Sequence, residues 1–379
     1  MSTKTPIRAG MLAGAVLLLT ACSSSTDPGP APTPFPETSL TPAAPAAPAP
    51  DGSFSVVATG DVLIHPALSD QAEADGHGKF DYGPLLAGIK PLISGADLGI
   101  CHLETPLAPE GGPYSGYPSF SAPPEIVDAL KDTGYDTCST SSNHTLDQGA
   151  DGIKRTLDKL DATGIKHTGS ARSAKEAATP LILDVHGVKV AQVSYAFGFN
   201  GIKVPAGKPW LANQIDVDDV LAEAKAARAA GAEVVIASLH WGVEFQHDPT
   251  AEQQSQAKKL LASDDLDLII GHHAHVVQPF AKIGDKWVAY GLGNSIARHS
   301  DPRGDTEEGV AARFRFTREG GRWKVTKAEY VPTLITLANP IRLIDLSTSP
   351  KSAEVTKALA DTDKNVLSLG ADMSGLTRP

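Results

Sequence analysis

The sequence predicts an α/β fold whose core carries additional antiparallel strands. Three observations predict it. From Phe54 onward, apolar runs of strand length alternate with amphipathic stretches at helical spacing. Beyond residue 280 the alternation gives way to strand pairs joined at Gly284-Asp285 and Glu319-Gly320-Gly321, both hairpin signals. Hydrophobic residues make up 41% of the 379 residues, enough for a sizeable core.

Taken in order, residues 54–59 form a strand ending at Gly60-Asp61, and residues 98–101 a strand running into His102-Leu103-Glu104. Pro123 or Pro124 opens a helix with Ile126, Val127 and Leu130 on one face. A strand over residues 135–140 runs into Ser141-Ser142-Asn143-His144, and a helix over 150–163 follows, carrying Ile153, Leu157 and Leu160 at i, i+4 and i+7. Residues 181–184 and 188–194 flank His186-Gly187 as a hairpin, and an alanine-rich helix over 217–230 closes at Gly231. The strand 233–239 ends at His240-Trp241-Gly242, and after a helix over 251–263 the strand 266–271 ends at Gly271, where His272, His273 and His275 follow. Hairpins over 281–283/287–290 and 310–317/323–330 come next. A terminal helix over 353–360 and a frayed tail close the chain.

The N-terminus reads as an address, not as fold. Residues 1–21 have a short basic start and an apolar core too short to span a bilayer, the pattern of an export signal. Leu19-Thr20-Ala21-Cys22 matches the bacterial lipobox, which predicts a lipidated Cys22 anchoring the protein to the outer face of the cytoplasmic membrane. Residues 22–52 are Pro, Ala, Ser and Thr with little to bury, a disordered tether. The net charge of −11 becomes −13 without the first 21 residues, which argues against nucleic acid as a partner. An anionic substrate would then need local cations or metal ions. Cys101 and Cys138 lie in apolar runs and read as buried free thiols, although export permits a disulfide.

The chemistry collects at the strand ends. Five strands end in a metal-capable or polar group: Asp61, Glu104, Asn143-His144, His240 and His273/His275. Parallel neighbouring strands would bring these side chains to one sheet edge. His273 and His275 can both turn to one point, whereas His272 is expected to face away and support the loop. Carboxylates, an amide oxygen and imidazoles suit Mn, Fe or Zn, and the number of donors exceeds the need of one tetrahedral ion. Two divalent ions would clamp a phosphoryl or carbonyl oxygen and activate water. His144 is placed to protonate a leaving group, with Asp147 holding its imidazole.

The blocks GDVLIHP, HLETPL, SSNHTLD, LHWGVEF, IIGHHAHVVQP and YGLGNSI, spread over residues 54–297, resemble those of the CapA family. These are poly-γ-glutamate capsule biosynthesis proteins related to calcineurin-like metallophosphoesterases. The resemblance implies a four-layer α-β-β-α sandwich with mixed sheets over residues 53–340, followed by a C-terminal extension over 341–379. It implies Asp61, Glu104, Asn143, His240, His273 and His275 as ligands of two metal ions and His144 as the acid. Glu244 falls in its HWG-x-E block, close to the site, and Gly293-Asn294 in an LGN block read as a turn.

This chain departs from the family pattern in three places. His102 stands where the family has Asn, and is either an added ligand or a core-facing group. Leu63 stands where the superfamily has a ligand His, a place that His65 could supply from the loop. Ala274 replaces the proline of GHHPH. His77, His167, His186, His247 and His299 read as surface groups, although His247-Asp248 is near enough to Glu244 to line the cleft. Arg298 and Lys203 lie in loops where they could meet an anionic substrate but read as solvated charges, and Tyr114, Tyr117 and Phe120 could form a binding lip but read as packing over a strand edge. The expectation is a lipid-anchored metal-dependent hydrolase that makes, attaches or trims an envelope polymer, a phosphoesterase or a γ-glutamyl amide hydrolase. The alternative is a lipoprotein that binds polymer, or associates with its synthase, without catalysis.

Overall fold

The computed structural model describes residues 52–379. The expected export signal, the lipidation expected at Cys22 and the expected tether, all but its last residue, lie outside the described residues.

Fifteen strands occur among the described residues: β1 Ser53–Val62, β2 Leu98–Leu103, β3 Thr137–Ser139, β4 Lys166–Thr168, β5 Leu181–Val185, β6 Val188–Ala196, β7 Val234–His240, β8 Leu268–His272, β9 Phe280–Ile283, β10 Lys286–Ala289, β11 Asn294–Ile296, β12 Glu308–Glu319, β13 Arg322–Ile335, β14 Leu343–Asp345 and β15 Leu376–Thr377. They form two mixed sheets. One runs β14-β13-β12-β1-β2-β3-β4, with β11 beside β1 and β15 beside β13, and the other runs β5-β6-β7-β8-β10-β9. Within them β1-β2-β3-β4 and β6-β7-β8-β10 are parallel.

Side-chain alternation along the central strands explains the layering. Val56, Ala58, Ile236 and Ile270 point between the sheets, where they meet Phe280 and Phe314. Val57 points the other way, towards the helices Glu125–Thr133 and Gly149–Thr163 through Val127, Leu130, Leu157 and Leu160. Val235, Ala237 and Ile269 likewise pack under the helices Val217–Ala229 and Ala251–Leu261. Strands covered on both faces must be apolar throughout, which is why they read as unbroken runs. The result is the expected four-layer α-β-β-α sandwich. Across the middle layer, Thr137 donates to Gln192 (2.8 Å) and Gln192 to Ser238 (3.0 Å), a buried polar tie between the sheets.

Three expectations need correction. Cys101 and Cys138 are register partners on β2 and β3 and form a disulfide, with Cα atoms 4.4 Å apart. Adjacent parallel strands hold the two side chains on one face, a pairing invisible from a separation of 37 residues. The chain end is not frayed: β15 pairs in parallel with Ala328–Glu329, and Arg378 reaches Asp363 at 3.0 Å. The terminal helix runs further than expected, over Ala353–Val366, and Val366 packs into the inter-sheet core.

Candidate metal centre

Register places the site. Asp61, His102 and Ser139 stand side by side at the carboxyl ends of β1, β2 and β3. Ala196, His240 and His272 form the matching row at the ends of β6, β7 and β8. The polar strand ends therefore belong to two facing sheets and not to one edge, and the cluster forms where their carboxyl ends adjoin. Glycine permits the close approach. A Cβ on Gly60 would lie 2.0 Å from the Gly293 carbonyl oxygen, and one on Gly271 1.8 Å from that of Tyr290.

After β8 the backbone leaves strand geometry. His273 and His275 have φ of 89° and 55°, in the left-handed region that non-glycine residues rarely occupy. Asn200 (φ 49°) and Phe245 (φ 63°) beside them do the same. Strain of this kind persists where the surrounding structure over-determines it, and it concentrates at functional sites. The turn aims both imidazoles into the cluster.

Asp61 is fully buried. Its Oδ1 lies 3.2 Å from His272 Nδ1, and its Oδ2 lies 3.3 Å from His275 Nδ1 and accepts from the His273 backbone N–H at 3.1 Å. Burial pushes its carboxyl up, but the bonds from His272 and His275 outweigh this and hold it well below the usual range. Glu104 is its opposite: burial, with Asp61 adding to it, raises this carboxyl well above its ordinary value although His275 opposes the rise. Both Glu104 oxygens are buried without a hydrogen bond, with Oε1 3.7 Å from His275 Nε2 and 3.9 Å from His240 Nε2. Such a carboxylate costs several kcal/mol, roughly, unless something positive meets it.

One ordering of protons satisfies the row behind His240. Ser139 Oγ donates to the Cys101 carbonyl (3.3 Å) and accepts from His102 Nδ1–H (2.7 Å). His102 Nε2 then accepts from His240 Nδ1–H at 2.9 Å. The His240 Nε2 lone pair is left facing Asn143 Oδ1 at 2.9 Å, and Asn143 is turned that way because its amide donates to Asn200 Oδ1 at 3.3 Å. Two acceptors facing each other beside an orphaned carboxylate make the ligand set of a cation.

Burial keeps His240 below its ordinary value, His273 lowering it further, and brings His273 down to about 3, with His275 adding to the effect. Both imidazoles are thus neutral, the form that binds metal. His275 is opposed by burial but carried up to about 10 by Glu104 and Asp61. His273 Nδ1 and His272 Nε2 are also buried without partners. Asp61, Glu104 and His275 offer ligand atoms within 4.8 Å of one another, and so do Glu244, His273 and His275. The residues present fit divalent cations.

All six expected ligands therefore converge, and Glu244 joins them at the exposed rim. His102 also lies within sharing distance of Asp61 and His272, but both its ring nitrogens are engaged, which makes it the support of His240. His65 does not enter these groups. Its Nδ1 lies 3.1 Å from the Arg298 backbone N, and its ring packs against Phe120 and His299. Leu63 is buried with Phe120 and Ala297, so the position at which the resemblance expects an imidazole is packed with hydrocarbon. His272, expected to face away, is turned inward and stacks on His102 at 4.1 Å. Asn294, expected only as a turn, lies with Oδ1 3.0 Å from His275 Nδ1. Lone-residue reasoning passed over Asn200, Phe197 and Phe245, whose only signal was their position just after β6 and β7. His299 is half-buried against His275, not a surface group.

His144 Nδ1 lies 2.7 Å from Asp147 Oδ2, which also accepts from the Phe120 backbone N–H at 2.8 Å. The pair lies beside a cavity of about 780 Å³ that His144 and His275 help to line. With Nδ1–H on Asp147, His144 can present only Nε2 to a bound molecule.

The fold and the cluster define a four-layer α/β protein with a buried carboxylate–imidazole centre able to hold metal ions. The chain belongs to the bacterial capsule synthesis protein PGA_cap family, whose pattern it matches over residues 55–299. It is 28% identical over 180 residues to the capsule biosynthesis protein CapA of Bacillus anthracis, covering 47% of this chain and 44% of that one. It is 27% identical over 208 residues to the PGA biosynthesis protein CapA of Bacillus subtilis (strain 168), covering 53% of each. A probable polyglutamine synthesis accessory protein of Mycobacterium tuberculosis is 25% identical over 274 residues, 69% of each chain. The chain thus spans about half the length of the first two curated relatives it matches. The crystal structure of calcineurin-like phosphoesterase YfkN from Bacillus subtilis is similar at TM-score 0.45 and 16% identity, covering 84% of this chain and 99% of that one.

Proposed function

We propose that this protein is a divalent-metal-dependent hydrolase of the phosphoesterase type, acting on a capsule or envelope polymer such as poly-γ-glutamate. It would work outside the cytoplasmic membrane, held there through lipidated Cys22. The family and the names of its relatives support the polymer, and the chemistry of the site supports hydrolysis. The observation that carries the reading is Glu104, a buried carboxylate with both oxygens unpartnered where the His240 and His275 imidazoles meet.

Asp61, Glu104, Asn143, His240, His273 and His275 would hold two divalent ions, with Glu244 and His272 at hand. The ions would supply Lewis-acid activation of a phosphoryl or carbonyl group and of water. The protein's own groups do the rest. His144 would serve the leaving group through Nε2, and Asp147 fixes the ring from Nδ1. Phe120, packed edge-on to His144 at 4.7 Å, keeps that ring from swinging.

A second reading, metal-dependent binding of polymer without turnover, is favoured by Leu63, which closes one ligand position with packed hydrocarbon. One experiment separates the two. The full chain, solubilised in detergent, is assayed for bound metal and for cleavage of phosphodiester, phosphomonoester and γ-glutamyl substrates with Mn, Fe or Zn. Turnover that depends on metal and falls in His144→Ala supports the hydrolase. Bound metal with no turnover on any of these leaves the binding role.

A further inference from the structure

The cavity beside the cluster is lined by Arg298, a cation that pairs with no carboxylate among the described residues. Arg298 follows β11, and its backbone is fixed by the bond from its N–H to His65 Nδ1. Its guanidinium makes one long bond, from Nη2 to the Leu337 carbonyl at 3.4 Å. Nη1 is buried and has no partner. A guanidinium offers five N–H donors in a planar fork, so most of its capacity is unused. Neighbouring Arg303 differs: it pairs with Asp305 at 3.1 Å and lies over the Phe245 ring. Among the described residues no carboxylate pairs with Arg298.

The surroundings show what it awaits. Arg298 shares the cavity of about 780 Å³ with Phe120, Phe245 and Tyr117, and with His144 and His275 of the metal centre. Asp61, Glu104, Asp147 and Glu244 give this end of the molecule a concentration of carboxylates, and the whole chain carries −11. An acidic molecule entering it gains from a fixed cation that receives one of its charged groups away from the metal ligands. Phe120 and Phe245 add apolar wall to the same cavity, which suits a short hydrocarbon spacer between anionic groups.

We propose that Arg298 is a specificity-determining residue: it receives an anionic group, carboxylate or phosphate, of a substrate whose reacting bond lies at the metal centre. This rests on the reading that substrate occupies this cavity, but it concerns binding and is tested apart from turnover.

The test is equilibrium binding to the full, manganese-loaded chain by calorimetry. The probes are a γ-linked glutamate trimer, the same trimer fully amidated, and inorganic pyrophosphate, with bound metal measured in each variant. Wild type is expected to bind one or both anionic probes more tightly than the amidated trimer by roughly tenfold or more, the worth of a charge-assisted pair. Arg298→Gln should abolish that preference with metal content unchanged, and Arg298→Lys should restore part of it. A loss confined to the glutamate trimer, or to pyrophosphate, identifies which anion Arg298 reads. Equal weakening for charged and amidated trimers, or no binding of either anionic probe to wild type, would overturn the proposal. Binding with the Arg298 preference intact but no cleavage would overturn only the hydrolase reading.

Discussion

His102 Nε2 lies 2.9 Å from His240 Nδ1, and His102 Nδ1 lies 2.7 Å from Ser139 Oγ. One histidine of the centre is therefore steered by a second, which is steered in turn by the strand beside it. An outer partner of this kind fixes both the tautomer and the ring angle of the residue it supports. His102→Ala should weaken metal binding about 10-fold to 100-fold. His102→Asn should recover part of the loss, because an amide oxygen can accept the same proton. Titration with manganese, followed by calorimetry, checks both.

The disulfide lies one residue before this pair on both strands, joining Cys101 to Cys138. Replacing both cysteines with alanine should cost about 2–4 kcal/mol and loosen the His102–Ser139 register. Thermal unfolding with and without reductant is the measurement: wild type should melt lower when reduced, and the double variant should ignore reductant.

How much of this was legible beforehand differs from residue to residue. Asp61, Glu104, Asn143, His240, His273 and His275 could be read because a buried strand ends abruptly, and a polar side chain just beyond it stands out against the apolar run. The disulfide could not, since it depends on which strands are neighbours. Neither could His272: it is the last residue of β8 and shares the inter-sheet face of Ile270, whereas the strand read from the sequence ends at Gly271. Arg298 was legible only as a loop cation that could meet an anion or stay solvated. Only the tertiary fold shows that its Nη1 is shut away from water.

His144→Ala should lower turnover by about 10²–10⁴-fold without reducing bound metal, since the ring belongs to the cavity and not to the ligand set. Asp147→Asn should give a smaller loss, because Phe120 and the local turn still place the ring. Steady-state kinetics alongside metal analysis distinguishes this from damage to the centre.

Glu308, on β12, gives a pH dependence of stability. Burial, with Asp361 adding to it, raises its carboxyl from 4.5 to about 8. A raised carboxyl stabilises the fold fully below its unfolded value, and that contribution is lost as pH rises through the folded value. Stability should therefore fall between about pH 4.5 and pH 8, by about 2 kcal/mol once solvent screening is allowed for. In Glu308→Gln that part of the slope should vanish. Urea unfolding across this pH range is the check.

The central claim is that the joined sheet ends hold divalent metal. Its most direct test is elemental analysis of the full chain after manganese loading and desalting, with His273→Ala/His275→Ala carried alongside. The account predicts two equivalents in wild type and less than half of that in the variant, with both proteins folded by circular dichroism. No retained metal in wild type, or the same content in both, would contradict it.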